Sequence, residues 1–225
     1  PEIADKWRHG PAVTLALEMP ETMPADGKLP IRVVMTANKV GHDFPTGPLD
    51  IIQSWIELYV YDENGNEVFS TGKRDERNMI EEGSFLFKAE PVDQYGNLID
   101  RHNLWEMVGV RFRRALFPGY SDTVEYVVDC MGATGVGEKP PLATELKDVE
   151  EFAIETLEPT GKYEIVASLQ YRKVDQFLID FLLGEDSGLS APVVEMARVT
   201  GSVAVDAGDE QAAAGETVPA APAGR

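Results

Sequence analysis

The residues of this chain with chemistry to offer are few and widely spaced: His9, His42, His102 and a single cysteine, Cys130, set among 39 carboxylates. A blue-copper centre needs a Cys followed within a few residues by His and then Met. Cys130 is followed directly by Met131, and no histidine comes after His102. A serine or cysteine hydrolase needs a nucleophile on a strained elbow beside a histidine base, and no G-x-S-x-G occurs. Cys130 falls on the core side of an alternating stretch, where a lone cysteine behaves as a small inert hydrophobe. Two carboxylates suffice for glycoside hydrolysis, but among so many acidic residues no pair stands out. There is neither a P-loop nor a dinucleotide fingerprint. One cysteine forms no internal disulfide, no Cys-rich zinc site and no Cys-x-x-Cys-His haem attachment. The expectation is a chain that is not an enzyme and binds no cofactor covalently.

A length of 225 residues with 43% hydrophobic and 26% charged residues suits one sizeable core, hence one domain with appendages. Lys and Arg number 20 against 39 Asp and Glu, a formal charge of −19, which disfavours nucleic acid and polybasic docking to membranes. The most apolar stretch, Phe177 to Leu183, is broken by Asp180 and falls far short of the roughly 20 residues a bilayer requires, so no transmembrane segment is expected. A chain starting at Pro1 is expected to be a processed or trimmed product. From Ala207 to Arg225 the composition turns to Ala, Gly, Pro, Glu and Thr with one valine, too little apolar surface to offset the entropy of ordering. A disordered C-terminal tail is expected there.

The elements that must position any site read as strands. Ile31, Val33, Met35 and Ala37 alternate with Arg32, Val34, Thr36 and Asn38; Ile52, Ser54, Ile56, Leu58 and Val60 alternate with Gln53, Trp55, Glu57, Tyr59 and Tyr61. The aromatic second face of that stretch predicts a central strand covered on both sides. Val124, Tyr126, Val128 and Cys130 share one face, as do Ile165, Leu169 and their neighbours in 163–171, and this period of two predicts strands with one face inward. Val13 to Leu17 and Val199 to Val205 complete a set of six or more. Asp62 to Asn66 and Asp93 to Asn97 each place a glycine where a hairpin tip needs positive φ, and neither has the ligand ladder of a calcium loop. Asp175 and Gly184 bracket a short helix carrying Phe177, Leu178, Phe181 and Leu182 on one face, and a second helix is expected over 142–150. Antiparallel strands with helices confined to connections predict an all-β, immunoglobulin-like antiparallel β-sandwich.

The most specific stretch is Asn38-Lys-Val-Gly-His-Asp-Phe-Pro-Thr-Gly47, followed by Ser54-Trp-Ile-Glu-Leu-Tyr-Val-Tyr-Asp62, Gly65 and Ser70-Thr-Gly72. It resembles the G-H-x-x-P-T-G, W-x-x-x-x-V-x-D-x-x-G, S-G pattern of the non-haem β-sandwich domain found at the C-terminal end of many bacterial multihaem c-type cytochromes. The likeness continues through 93–102, Leu104-Trp105, 117–122, 166–172 and 192–197, and its ordered series is more specific than any one member. The chain departs from the pattern in two ways: it has no Cys-x-x-Cys-His site, and Ile52, Gln53 and Ser54 precede Trp55 where many members have an Arg.

The resemblance covers most of residues 12 to 205, and with the composition of the tail it divides the chain into a leading segment over 1–11, a sandwich over 12–206 and the tail over 207–225. It implies a haem-free scaffold or docking unit of a bacterial periplasmic or extracellular electron-transfer assembly, whose haem c sits in a partner multihaem c-type cytochrome polypeptide. Imidazole being the common strong axial ligand, His9 and His42 are the candidate ligands or contacts to that haem. His9 is favoured, because a leading segment reaches across an interface more readily than a ring in a tight turn. His102, between Arg101 and Asn103, is expected to serve a turn or the surface. The competing reading is an immunoglobulin-like extracellular binding module for protein or carbohydrate, with no redox role.

Overall fold

Alternation of apolar and polar residues builds nine strands in the computed structural model, which describes residues 10–48, 50–130 and 161–205. They are β1 Val13–Glu18, β2 Lys28–Ala37, β3 Gln53–Tyr61, β4 Glu67–Thr71, β5 Leu86–Val92, β6 Gly109–Arg114, β7 Ser121–Asp129, β8 Lys162–Arg172 and β9 Val194–Ala204. One helix, α1 Gln176–Leu183, lies in the β8–β9 connection. Every named strand pair is antiparallel. The first sheet runs β1-β2-β7 and the second β6-β5-β3-β8-β9, with β4 also pairing β3. Placing the first two and the seventh strands in one sheet and the third, eighth and ninth in the other is the division of an immunoglobulin-like sandwich.

The core lies between the sheets. Leu29, Ile31, Val33 and Met35 of the first face Ile56, Leu58, Val60, Ile165 and Leu169 of the second, all fully buried. Val128 and Cys130 are buried beside them, with Val124 and Tyr126 partly covered, as the alternation in β7 predicts. Burial pushes the Cys130 thiol up to about 11, with the nearby Asp129 charge adding to it.

β8 departs from expectation. The second half of its outer face is covered as well: Ser168, Gln170 and Arg172 are buried, like Trp55 and Glu57 opposite them on β3, whereas Lys162 and Glu164 are exposed. The cover arises because one edge of β3 is shared, its Leu58–Tyr61 part pairing β4 and its Ser54–Trp55 part pairing β5. The connection between those two strands crosses the outer face instead of following the edge. Gly72 permits the entry: its φ is +80°, and a Cβ there would lie 2.1 Å from the Ile56 carbonyl oxygen, so only glycine fits.

The two expected turns form as predicted. In each, the Asp N–H donates to the Asn carbonyl four residues on, the glycine N–H donates back, and the Asp carboxylate accepts two further backbone N–H groups. A third loop with the same bonds runs from Asp75 to Met79, with Asn78 at φ +62° in the glycine position. α1 begins and ends as expected, the Asp175 carboxylate accepting from the Leu178 N–H at 2.8 Å and the Gly184 N–H closing on Asp180 O. The strands β4, β5 and β6 were not anticipated: β4 is only five residues long, β5 carries Pro91, and β6 is three arginines among six residues. The helix expected over 142–150 and the tail over 207–225 lie outside the described residues.

Candidate functional site

The Gly41 to Gly47 turn closes one end of the core. Phe44 exchanges two backbone hydrogen bonds with Leu116, at 2.8 and 2.7 Å, and its ring is buried against Phe87 and Tyr171. Asp43 pairs with Arg113 of β6. The middle of the motif thus works as a plug between the sheets. His42 stands outside it: the ring is exposed, and Nδ1 lies 3.3 Å from the Asp43 carbonyl oxygen. His9 falls outside the described residues.

His102 does serve a turn, at φ +59°, and it has a partner that sequence did not suggest. Its Nδ1 lies 3.0 and 3.1 Å from the two carboxylate oxygens of Asp50, whose side chain is fully buried. His42 and His102 therefore serve different places, and among the described residues no group of three or more His, Cys, Asp or Glu is arranged to hold a metal.

The most densely bonded region is the covered outer face of the second sheet. Trp55 is fully buried, its Nε1–H donating to Gly72 O at 3.0 Å. Two guanidinium groups lie against its ring, Arg172 at 5.5 Å and Arg74 at 6.0 Å from the centroid, each a favourable cation–π contact. Both come from positions remote from Trp55 in sequence, so the residues preceding Trp55 say nothing of the charge beside it. Arg172, 2% exposed, donates from Nε to Gln53 Oε1 and from Nη1 to Asn78 O, both at 2.7 Å. Burial lowers its pKa to about 10, against the attraction of Asp175, and burial raises that of the Asp175 carboxyl.

Asn78 ties this face to α1. Its side-chain amide donates to Gln176 Oε1 and Ala191 O, and its Oδ1 accepts from Arg74. Buried Gln176 also accepts from the Ala191 N–H and donates to Asp180 and Leu189, so both of its polar atoms are saturated. The signal that could have found this hub is Asp75-x-x-Asn78, the Asp-x-x-Gly pattern of the other loops with the next-best residue for positive φ.

Holding α1 in this way leaves its apolar face on the surface. Only Gln176 and Leu178 are buried, while Phe177, Phe181, Leu182 and Leu183 are exposed. The β5–β6 connection leans on α1 through Arg101, whose guanidinium lies 4.8 Å from the Phe181 ring centroid. That connection carries Tyr95 and Trp105, 80% and 81% exposed, which with Val108 border a shallow hollow. Beside α1 a cleft of about 330 Å³ opens between the 79–84 segment, β5, β6 and Phe177. No helix among the described residues is long and apolar enough to cross a membrane.

The fold defines an antiparallel two-sheet β-sandwich with a covered outer face. No family model matches the chain, and no curated protein does. Among solved structures it is similar to a penta-heme cytochrome c552 from Thermochromatium tepidum, with 16% identity and a TM-score of 0.51 over 89% of this chain. That likeness concerns the fold. The chain spans 41% of the cytochrome's length.

Proposed function

We propose that the chain is a haem-free scaffold or docking unit of a multihaem cytochrome c electron-transfer assembly, in the bacterial periplasm or outside the cell. Its partner in this reading is a c-type cytochrome polypeptide that carries the haem. The observation that carries the proposal is a sandwich folded like two fifths of a penta-heme cytochrome in a chain without a Cys-x-x-Cys-His site. The exposed aromatic and aliphatic side chains of α1 and the β5–β6 connection support it. Exposed large apolar side chains in number mark protein interfaces, and Trp and Tyr are favoured anchors in them. Packed over a porphyrin edge, such a surface excludes water and tunes the iron potential through burial. The proposed role is non-catalytic, with His9 or His42 supplying a contact or axial ligand to the partner's haem.

Native purification of the tagged chain from the cells that make it tests the proposal. The expected preparation absorbs as c-type haem and contains a second polypeptide with Cys-x-x-Cys-His sites. Leu182→Ser should release that polypeptide while changing stability by less than about 0.5 kcal/mol, since the side chain is already exposed. In the intact complex, His9→Ala or His42→Ala should alter the spectrum of one haem. Colourless, unaccompanied protein would overturn the reading in favour of a binding module without redox role.

A further inference from the structure

The cleft beside α1 keeps unused hydrogen-bond donors on two of its cationic side chains. Three basic residues border it: Lys88, Arg114 and Arg172. Lys88 is paired with Glu90 at 2.5 Å. Arg172 has only the neutral oxygens of Gln53 and Asn78 as hydrogen-bond acceptors, and no carboxylate lies within ion-pair distance among the described residues, Asp175 acting on it only at longer range. Arg114 is half-buried and lies over the rings of Phe85 and Phe112, at 4.4 and 5.9 Å; its N–H groups have no acceptor among the described residues.

The bordering carboxylates are differently placed. Asp175 caps α1, and Glu81 accepts from the Gly72 N–H at 3.1 Å. Glu82 is exposed. Two of the three acids are therefore committed to backbone donors, while two planar guanidinium forks keep unused donors at the same opening. A buried guanidinium without a counter-ion is costly, and a fork of this geometry matches a carboxylate. The rest of the wall is apolar, with Leu86, Met79, Phe112 and Phe177, and the volume falls at the lower end of the range of small-molecule sites.

We infer that this cleft binds a carboxylate carried on an apolar body, Arg114 and Arg172 holding the anion and Phe112 and Phe177 flanking the body. The inference is independent of the docking proposal. The carboxylate has two possible sources, a free small acid or a group brought by a bound partner, and the test separates them.

The probe is 3-phenylpropionate, titrated calorimetrically into the full chain, with 3-phenylpropanamide as its neutral counterpart. Saturable one-to-one binding is expected with a Kd of about 1 mM or tighter, and at least ~10-fold weaker binding of the amide. Arg114→Met should weaken the acid at least ~10-fold and leave the amide unchanged; the side chain makes no hydrogen bond, so the fold is retained. Phe177→Ala should weaken acid and amide alike, and its exposed position keeps the helix intact. No binding at 10 mM, about ten times the expected Kd, or equal binding of acid and amide, or an undiminished affinity in Arg114→Met, would overturn the assignment. Where a haem-bearing partner co-purifies, its release by the probe assigns the carboxylate to the partner, and its retention with the probe bound assigns a free acid. The calorimetric result stands whether or not such a partner exists.

Discussion

The inner face of β3 and β8 is buried along most of its length, and the outer face is buried from Trp55 to Glu57 and from Ser168 to Arg172, by different means. On the inner face Ile56, Leu58, Val60, Ile165, Ala167 and Leu169 are apolar, and another sheet covers them; Ser54, at the edge of that face, donates to Gln170 O. On the outer face Glu57, Ser168, Gln170 and Arg172 are buried around Trp55 beneath a loop and a helix. Burial of apolar area is non-directional and asks only for volume and pattern. A buried polar face requires each donor to meet an acceptor, because an unpaired buried group costs about 1–3 kcal/mol. That is why the outer face is a network: Gln170 Nε2 reaches Glu57 and Ser168, Arg172 reaches Gln53 and Asn78, and Asn78 reaches Gln176. The inner face holds the sandwich together. The outer face sets where α1 and the cleft lie.

Substitutions that separate the two faces should differ in size and in kind. Leu169→Ala, on the inner face, should cost about 2–5 kcal/mol by leaving a cavity between the sheets, seen as one cooperative loss in denaturant unfolding. Arg172→Met, on the outer face, should cost about 1–3 kcal/mol by stranding the Gln53 and Asn78 oxygens. It should also raise amide exchange over residues 73–85 more than in β2. Equal exchange in both regions would show that the two faces unfold as one unit. Asp175→Ala removes a helix cap and should cost about 1 kcal/mol, its exchange effect confined to α1 and the segment after it.

A pH measurement sharpens the inner side of the comparison. The Cys130 thiol, pushed up to about 11 by burial, holds its proton more tightly folded than unfolded. Its contribution to stability is therefore complete below the ordinary thiol range and declines as pH rises from about 9 towards 11. Denaturant midpoints should fall over that window, and Cys130→Ala should flatten the decline. In the native protein near pH 8, alkylation of Cys130 should proceed only as fast as the protein opens, since the thiolate fraction there is about 0.1%.

Much of the inner face was legible from residue order. Alternation in 31–37, 52–61 and 163–171 marked the strands and their core side, and Asp62, Asp93, Asp175 and Gly184 marked turns and a helix, because each acts through its own neighbours in the chain. The resemblance around Gly41 to Gly47 pointed to a structured loop, which Phe44 explains as a plug.

What residue order did not disclose was the partner of each polar group. Arg172 meets Gln53 and Asn78, His102 meets Asp50, and Arg74 meets Trp55 across separations that no local spacing encodes. β4, β5 and β6 are not legible in residue order for a related reason, since short or arginine-rich strands are specified by the edge they pair with. The sequence by itself determined an acidic, antiparallel sandwich without a haem attachment site, through periodicity, charge and cysteine count. Only the tertiary structure decided that the Ser168 to Arg172 part of β8 is covered on both sides, that α1 turns Phe177, Phe181 and Leu182 outward, and that two guanidinium groups share one cleft. Periodicity reports which residues leave water, whereas hydrogen-bond partners and surface faces depend on which distant elements arrive to cover them.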